Sequence, residues 1–141
     1  MRYLLDVNAL VALGFLQHEF HERIARWVRW LASRGIPELA TCPITELGFV
    51  RVLAQAPQYG FTVAHARNVL LRLKGGKTLK FTFIPDDHDV SQLPAWVKSG
   101  KQTTDGHLVQ LAATKGVILA TLDGRIPGAY VIPAQKLKSL P

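Results

Sequence analysis

Short apolar runs alternating with longer segments of helical period constrain this chain more than any other feature, because such alternation builds a parallel sheet. Five runs read as strands: Arg2 to Asp6, Leu39 to Cys42, Lys80 to Ile84, Val117 to Leu122 and Ala129 to Ile132. Asn8 is placed to cap a helix from Ala9 to Leu16. From His21 to Ser33, Ile24, Trp27, Val28 and Leu31 recur at helical spacing as core, with Arg23, Arg26 and Arg29 largely opposite as a solvated face. Phe20, Trp30 and the apolar face around Phe15 are candidates for a partner surface. Pro43 suits the first turn of a helix to about Ala54. Thr62 caps a helix ending near Gly75 and Gly76, and Thr104 caps one from Asp105 to Lys115 that Gly116 stops. Right-handed crossovers between successive strands then give a mostly parallel sheet of about five strands with helices on both faces.

With 141 residues and 48% hydrophobic content, the chain suits one α/β domain with a full core, residues 1–141. The single cysteine, Cys42, excludes an internal disulfide and reads as a small buried hydrophobe in a reducing compartment. Asp6 and Asn8 interrupt the apolar N-terminus, which therefore reads as neither signal peptide nor membrane span. The expectation is a soluble, cytoplasmic protein with no membrane partner. The formal charge is +7, from 17 Lys and Arg against 10 Asp and Glu. Setting four acids aside for a site leaves 6 acidic residues against 17 basic ones. That balance favours a polyanionic partner, since phosphates release counterions on binding.

Four acids stand out by position. Asp6 and Asp123 each follow an apolar strand, while Glu46 and Asp105 each lie in the first turn of a helix. All four map to the carboxyl edge of a parallel sheet, where functional groups collect. Singly, each has an ordinary explanation in helix-dipole or turn chemistry. Jointly, crowded carboxylates either take up protons or bind a cation. Hard oxygen donors without His or Cys suit Mg²⁺ or Mn²⁺, the ions that activate water and neutralise phosphate charge in phosphodiester hydrolysis.

The segments carrying these acids are Leu4-Leu-Asp-Val-Asn8, Cys42-Pro-Ile-Thr-Glu-Leu-Gly-Phe-Val-Arg-Val-Leu53, Thr104-Asp-Gly-His-Leu-Val-Gln-Leu-Ala112 and Leu119-Ala-Thr-Leu-Asp123. In order and spacing they resemble the four motifs of PIN-domain ribonucleases, above all the VapC-type toxins of toxin–antitoxin pairs. The resemblance runs from Arg2 to about Ile132. It implies a PIN-like three-layer sandwich and an endoribonuclease with Asp6, Glu46, Asp105 and Asp123 as catalytic acids. It also implies Mg²⁺ or Mn²⁺ held mainly by Asp6 and Asp105, with Asn8 and Thr104 positioning the acids or their waters. A homodimer, an RNA substrate and a cognate antitoxin are implied as partners. Gly106 departs from the family, which often has Ala there, and weakens the helix start.

Other signals carry less. Lys74-Gly-Gly-Lys-Thr78 lacks the glycine and the preceding strand that a phosphate loop needs, so it reads as a helix stop beside a basic turn. His18-Glu-Phe-His21 does not have the spacing of a zinc-binding helix. Asp86, Asp87, His88 and Asp89 form a rival metal cluster in one loop. Arg67, Arg72, Lys74 and Lys77 read as solvated helix faces. Near the acids, Arg51, Lys98, Lys101 and Arg125 are candidates to hold phosphate, with Lys101 and Arg125 best placed. Two alternatives stay open: a related nuclease acting on DNA or structured nucleic acid, and a non-catalytic nucleic-acid-binding regulatory module.

Overall fold

The computed structural model describes residues 1–134, so the basic tail beyond the last strand lies outside the described residues. Five strands form one sheet: β1 (Arg2–Leu5), β2 (Glu38–Thr41), β3 (Lys80–Phe83), β4 (Ile118–Thr121) and β5 (Tyr130–Val131). Their order is β3-β2-β1-β4-β5, and every pairing is parallel. The helices are α1 (Val7–Gly14), α2 (His21–Ala32), α3 (Pro43–Gln55), α4 (Val63–Gly75) and α5 (Thr103–Thr114).

The sheet is apolar on both faces because its three central strands, β2, β1 and β4, each contribute buried residues to each side. Leu4, Ala40 and Leu119 are cross-strand partners and pack with Leu108, Leu111 and Ala112 of α5. Leu5, Leu39 and Ala120 face the other way, toward α1, α2, α3 and α4. On that side Ile24 and Trp27 are fully buried and Val28 nearly so, as their spacing predicts, while Leu31 is half-buried. Phe20 is exposed and Trp30 partly so. The crossovers depart from β1 in both directions. Strand order therefore reverses at β1, and a crevice opens at the carboxyl ends of β1 and β4.

Several boundaries differ from the sequence reading, for local reasons. The strands end a residue or more early, and α1 starts at Val7, with Asp6 rather than Asn8 at its cap. Asp6 keeps an extended backbone and accepts a bond from the Val7 N–H, which releases Asn8 into the first turn. Likewise α5 starts at Thr103 with Gln102 at its cap and no side chain capping it. Thr104 is thus an exposed residue of the first turn and not the cap. Thr62 does cap α4, accepting from the His65 N–H at 3.0 Å. Arg23 and Arg26 are not simply solvated. They donate to the carbonyls of Ile132 and Ala134 and so tie α2 to the strand β5 edge.

Gly106 has a packing reason. A Cβ there would overlap the Val97 side chain and crowd Pro94 at 3.3 Å, so glycine lets the loop before α5 lie against the helix.

Candidate active site

Asp6 is the buried centre of the crevice, only 6% exposed. Its position follows from its capping role, because the one residue between β1 and α1 both follows the strand and caps the helix. One carboxylate oxygen accepts from the Val7 N–H at 2.8 Å, the other from the Thr121 hydroxyl at 2.7 Å. Burial pushes its pKa up, and the charge of Asp123 adds to the rise, against the lowering effect of those two bonds.

Thr121, the last residue of β4 and fully buried, is the hub of this network. Its one proton goes to Asp6. Its oxygen accepts from the Asn8 side-chain amide at 3.2 Å and from the Asp123 N–H at 3.1 Å. That is the full capacity of a hydroxyl. Asn8 also accepts from the Leu122 N–H at 3.1 Å, so its amide pins the turn after β4 to the start of α1.

Asp105 enters from the first turn of α5. Its pKa is raised by burial first, then by the charges of Asp6 and Asp123, with Arg125 opposing. Asp123 is lowered instead, because Arg125 donates to it from its side chain and its backbone N–H. Three of the four acids therefore act within one another's field.

Glu46 is engaged separately. Its Oε2 receives the Thr41 hydroxyl and the Lys74 ammonium, each at 2.5 Å, and Glu46 and Lys74 are each 22% exposed. Thr41 ends β2 as Thr121 ends β4, so Glu46 shares the carboxyl edge with the other acids. The sequence alone puts Lys74 on a solvated face and assigns no role to Thr41 or Thr121. A threonine closing an apolar strand just before an acid-bearing turn is the signal that could have found the two hydroxyls. The Lys74 contact joins residues 28 apart on two helices, and no spacing rule reaches it.

The remaining candidates lie around this centre. Arg125 is 90% exposed beside Asp123. Lys101 is exposed in the 3-10 turn Gly100–Gln102 that leads into α5. Arg51 is exposed on α3, and Lys98 is exposed in the loop before that turn. In the rival acidic loop, Asp86 pairs with His107 of α5 at 2.6 Å and accepts the His88 N–H, while Asp87 meets Lys115 at 3.4 Å. Those acids fasten the loop to α5.

Among the described residues, no three acid, His or Cys groups are set to close on one cation. The donors still fit a hard ion. Mg²⁺ keeps several waters and takes one or two protein carboxylates, and Asp6 and Asp105 are two carboxylates whose charges disfavour each other without a cation.

No helix among the described residues is long and apolar enough to cross a membrane. No family model matches the chain. Individual proteins do. Ribonuclease VapC38 of Mycobacterium tuberculosis is 38% identical, with 96% of this chain and 93% of that protein aligned. Ribonuclease VapC44 of the same species is 37% identical over 92% of this chain and 94% of its own length. The crystal structure of Mycobacterium tuberculosis VapC20, a sarcin–ricin loop cleaving toxin, matches with a TM-score of 0.61 at 14% identity, covering 93% of this chain and 99% of that one. VapBC2 from Rickettsia felis, bound to a promoter DNA fragment, matches at 0.58 and 13% identity, over 93% and 97% of the two chains. The structural likeness carries the fold, and the identity carries the kinship: this chain belongs to the PIN-domain VapC family of ribonuclease toxins.

Proposed function

We propose that this chain is an endoribonuclease that hydrolyses RNA phosphodiester bonds with Mg²⁺ or Mn²⁺, and the toxin of a type II toxin–antitoxin pair. The observation that carries the reading is the mutual charge of Asp6, Asp105 and Asp123 at the carboxyl ends of β1 and β4. A protein that crowds acids at a sheet edge, while keeping a net charge of +7, is built to meet a cation and a polyanion together.

Asp6 and Asp105 would hold the ion. When bound, it supplies Lewis-acid polarisation of the phosphate and a more acidic water. The chain's own residues set the geometry. Thr121 and the Val7 N–H fix the two oxygens of Asp6, and Asn8 holds the turn that carries Asp123. Arg125 keeps Asp123 ionised and stands exposed beside it, where a phosphate arrives first. Lys74 and Thr41 hold Glu46 in one rotamer at the adjacent strand end. A cognate antitoxin, a homodimer and a cytoplasmic setting belong to the same reading.

Purified protein incubated with total RNA tests it. Cleavage with Mg²⁺ or Mn²⁺ that stops in EDTA, and is lost in Asp105→Asn, is the expected result. Cleavage that persists in EDTA would overturn the metal assignment, and intact RNA under every condition would overturn the ribonuclease.

A further inference from the structure

Beside the carboxylates lies an open-sided cavity of about 510 Å³, lined by residues 18–20, residues 122–125 and Asn8. Asp123 and Asn8 belong to the carboxylate network, so the cavity continues directly from the acids. We propose that it is a subsite for one unpaired RNA nucleobase flanking the phosphate that is cut, with Phe20 as its stacking platform and Glu19 selecting guanine. The proposal rests on the ribonuclease reading above.

Phe20 leaves 40% of its surface in water at the start of α2, where its side chain makes no capping bond. An exposed aromatic ring beside a phosphate-cutting site is the usual means of holding an unstacked base. The segment that carries it is ordered by its own hydrogen bonds. The Phe20 N–H donates to His18 Nδ1 at 3.0 Å, and His21 donates from Nδ1 to the Ala12 carbonyl at 2.7 Å. The His18 and Phe20 rings lie 5.8 Å apart and 43° inclined, so they present two aromatic groups in the same wall. Because Nδ1 of His18 accepts a bond, its neutral ring carries the proton on Nε2, and burial favours that neutral form.

The charges suit a nucleotide as well. Arg125 lines the same cavity, and the Arg23 guanidinium lies over the Phe20 ring, 6.0 Å from its centroid, so two cations stand near the position of a base and its phosphates. Glu19 is an exposed, acceptor-only group of the lining. Guanine offers two adjacent N–H donors on its pairing edge. Adenine and cytosine offer an amino group beside an acceptor, and uracil offers one N–H between two carbonyls. A carboxylate therefore pairs best with guanine.

Fluorescence-anisotropy titrations of unstructured ten-nucleotide RNAs in EDTA read the subsite, with cleavage positions mapped on total RNA in Mg²⁺. Phe20→Ala should weaken binding roughly 5- to 150-fold, the range expected for one lost base stack, and Phe20→Tyr should restore it. Glu19→Gln should bind as tightly overall but lose the preference for guanine-containing oligonucleotides and for guanine beside the cut. Should the parent protein cleave RNA while Phe20→Ala binds as it does, the subsite falls and the ribonuclease stands. Should Glu19→Gln keep the parent's preference, the guanine assignment falls. A parent that neither binds nor cleaves RNA takes both readings down.

Discussion

Asp6 and Asp105 share an electrostatic environment but not a structural duty. Asp6 caps α1 and accepts from Thr121, so Asp6→Ala removes two hydrogen bonds along with the charge. It should cost about 1–2 kcal/mol, the usual loss for a helix cap, even though repulsion is relieved. No capping bond from Asp105 holds α5. Asp105→Asn should therefore leave the metal-free fold within about 0.5 kcal/mol of the parent, or more stable, while abolishing cleavage. The direction with pH follows from both pKa values being raised on folding. Between the ordinary aspartate value and the raised one, the folded chain binds more protons than the unfolded chain. The contribution of these two groups to stability is fullest at low pH, falls as pH rises through that window, and stays low above it. Asp105→Asn should thus gain on the parent as pH rises through the window, then level off. Urea denaturation in EDTA, from below the ordinary aspartate value up to neutral pH, measures both variants. A loss of 1–2 kcal/mol in Asp105→Asn would make Asp105 a structural residue.

At the scale of elements, Gly106 shows how packing overrides propensity. Alanine is the better helix former by about 1 kcal/mol. A methyl group at 106, however, meets Val97 of the loop packed on α5. Gly106→Ala should destabilise the protein by about 1–3 kcal/mol through overpacking. Adding Val97→Ala should return part of that loss, since the two changes share one contact. A double-mutant cycle by thermal or urea denaturation reads the coupling, and simple additivity would rule the contact out as the cause. The sequence reading saw only the weakened helix start, because the partner is a loop residue without any periodicity. Elsewhere the elements were legible for a physical reason: each strand is a short apolar run closed by a proline, an acid or a glycine turn. The acids were legible because strand ends in a parallel sheet converge wherever they fall in sequence. The cap of α1 was not, since Asp6 and Asn8 both suit that role and only the backbone of the folded chain decides between them. The ion pair from Lys74 to Glu46 depends on how α3 and α4 pack, which composition and spacing do not encode.

For the whole molecule, the governing tension is a basic chain with an acidic site. A group of carboxylates repels phosphate, so affinity for RNA has to come from cations around them, together with any bound metal ion. Arg125 and Lys101 stand on two of the segments that bring in the acids, the turn after β4 and the turn before α5. Arg125 already has a partner in Asp123, held through a forked contact at 3.0 and 3.2 Å. Because Arg125 is exposed, that pair is worth little to stability, and the guanidinium is free to exchange a carboxylate for a phosphate. Replacing Arg125 and Lys101 with Ala together should weaken RNA binding and lower the slope of log affinity against log salt by about one unit for each lost phosphate contact. Metal binding, followed by Mn²⁺ titration, should persist, because neither residue is among the donors. Loss of Arg125 also removes the bond that lowers the Asp123 pKa, so any residual cleavage should lose activity at a higher pH on acidification than the parent does. An unchanged salt slope in the double variant would move the phosphate path away from this rim, to the arginines of α2 or to the Lys74–Lys77 turn.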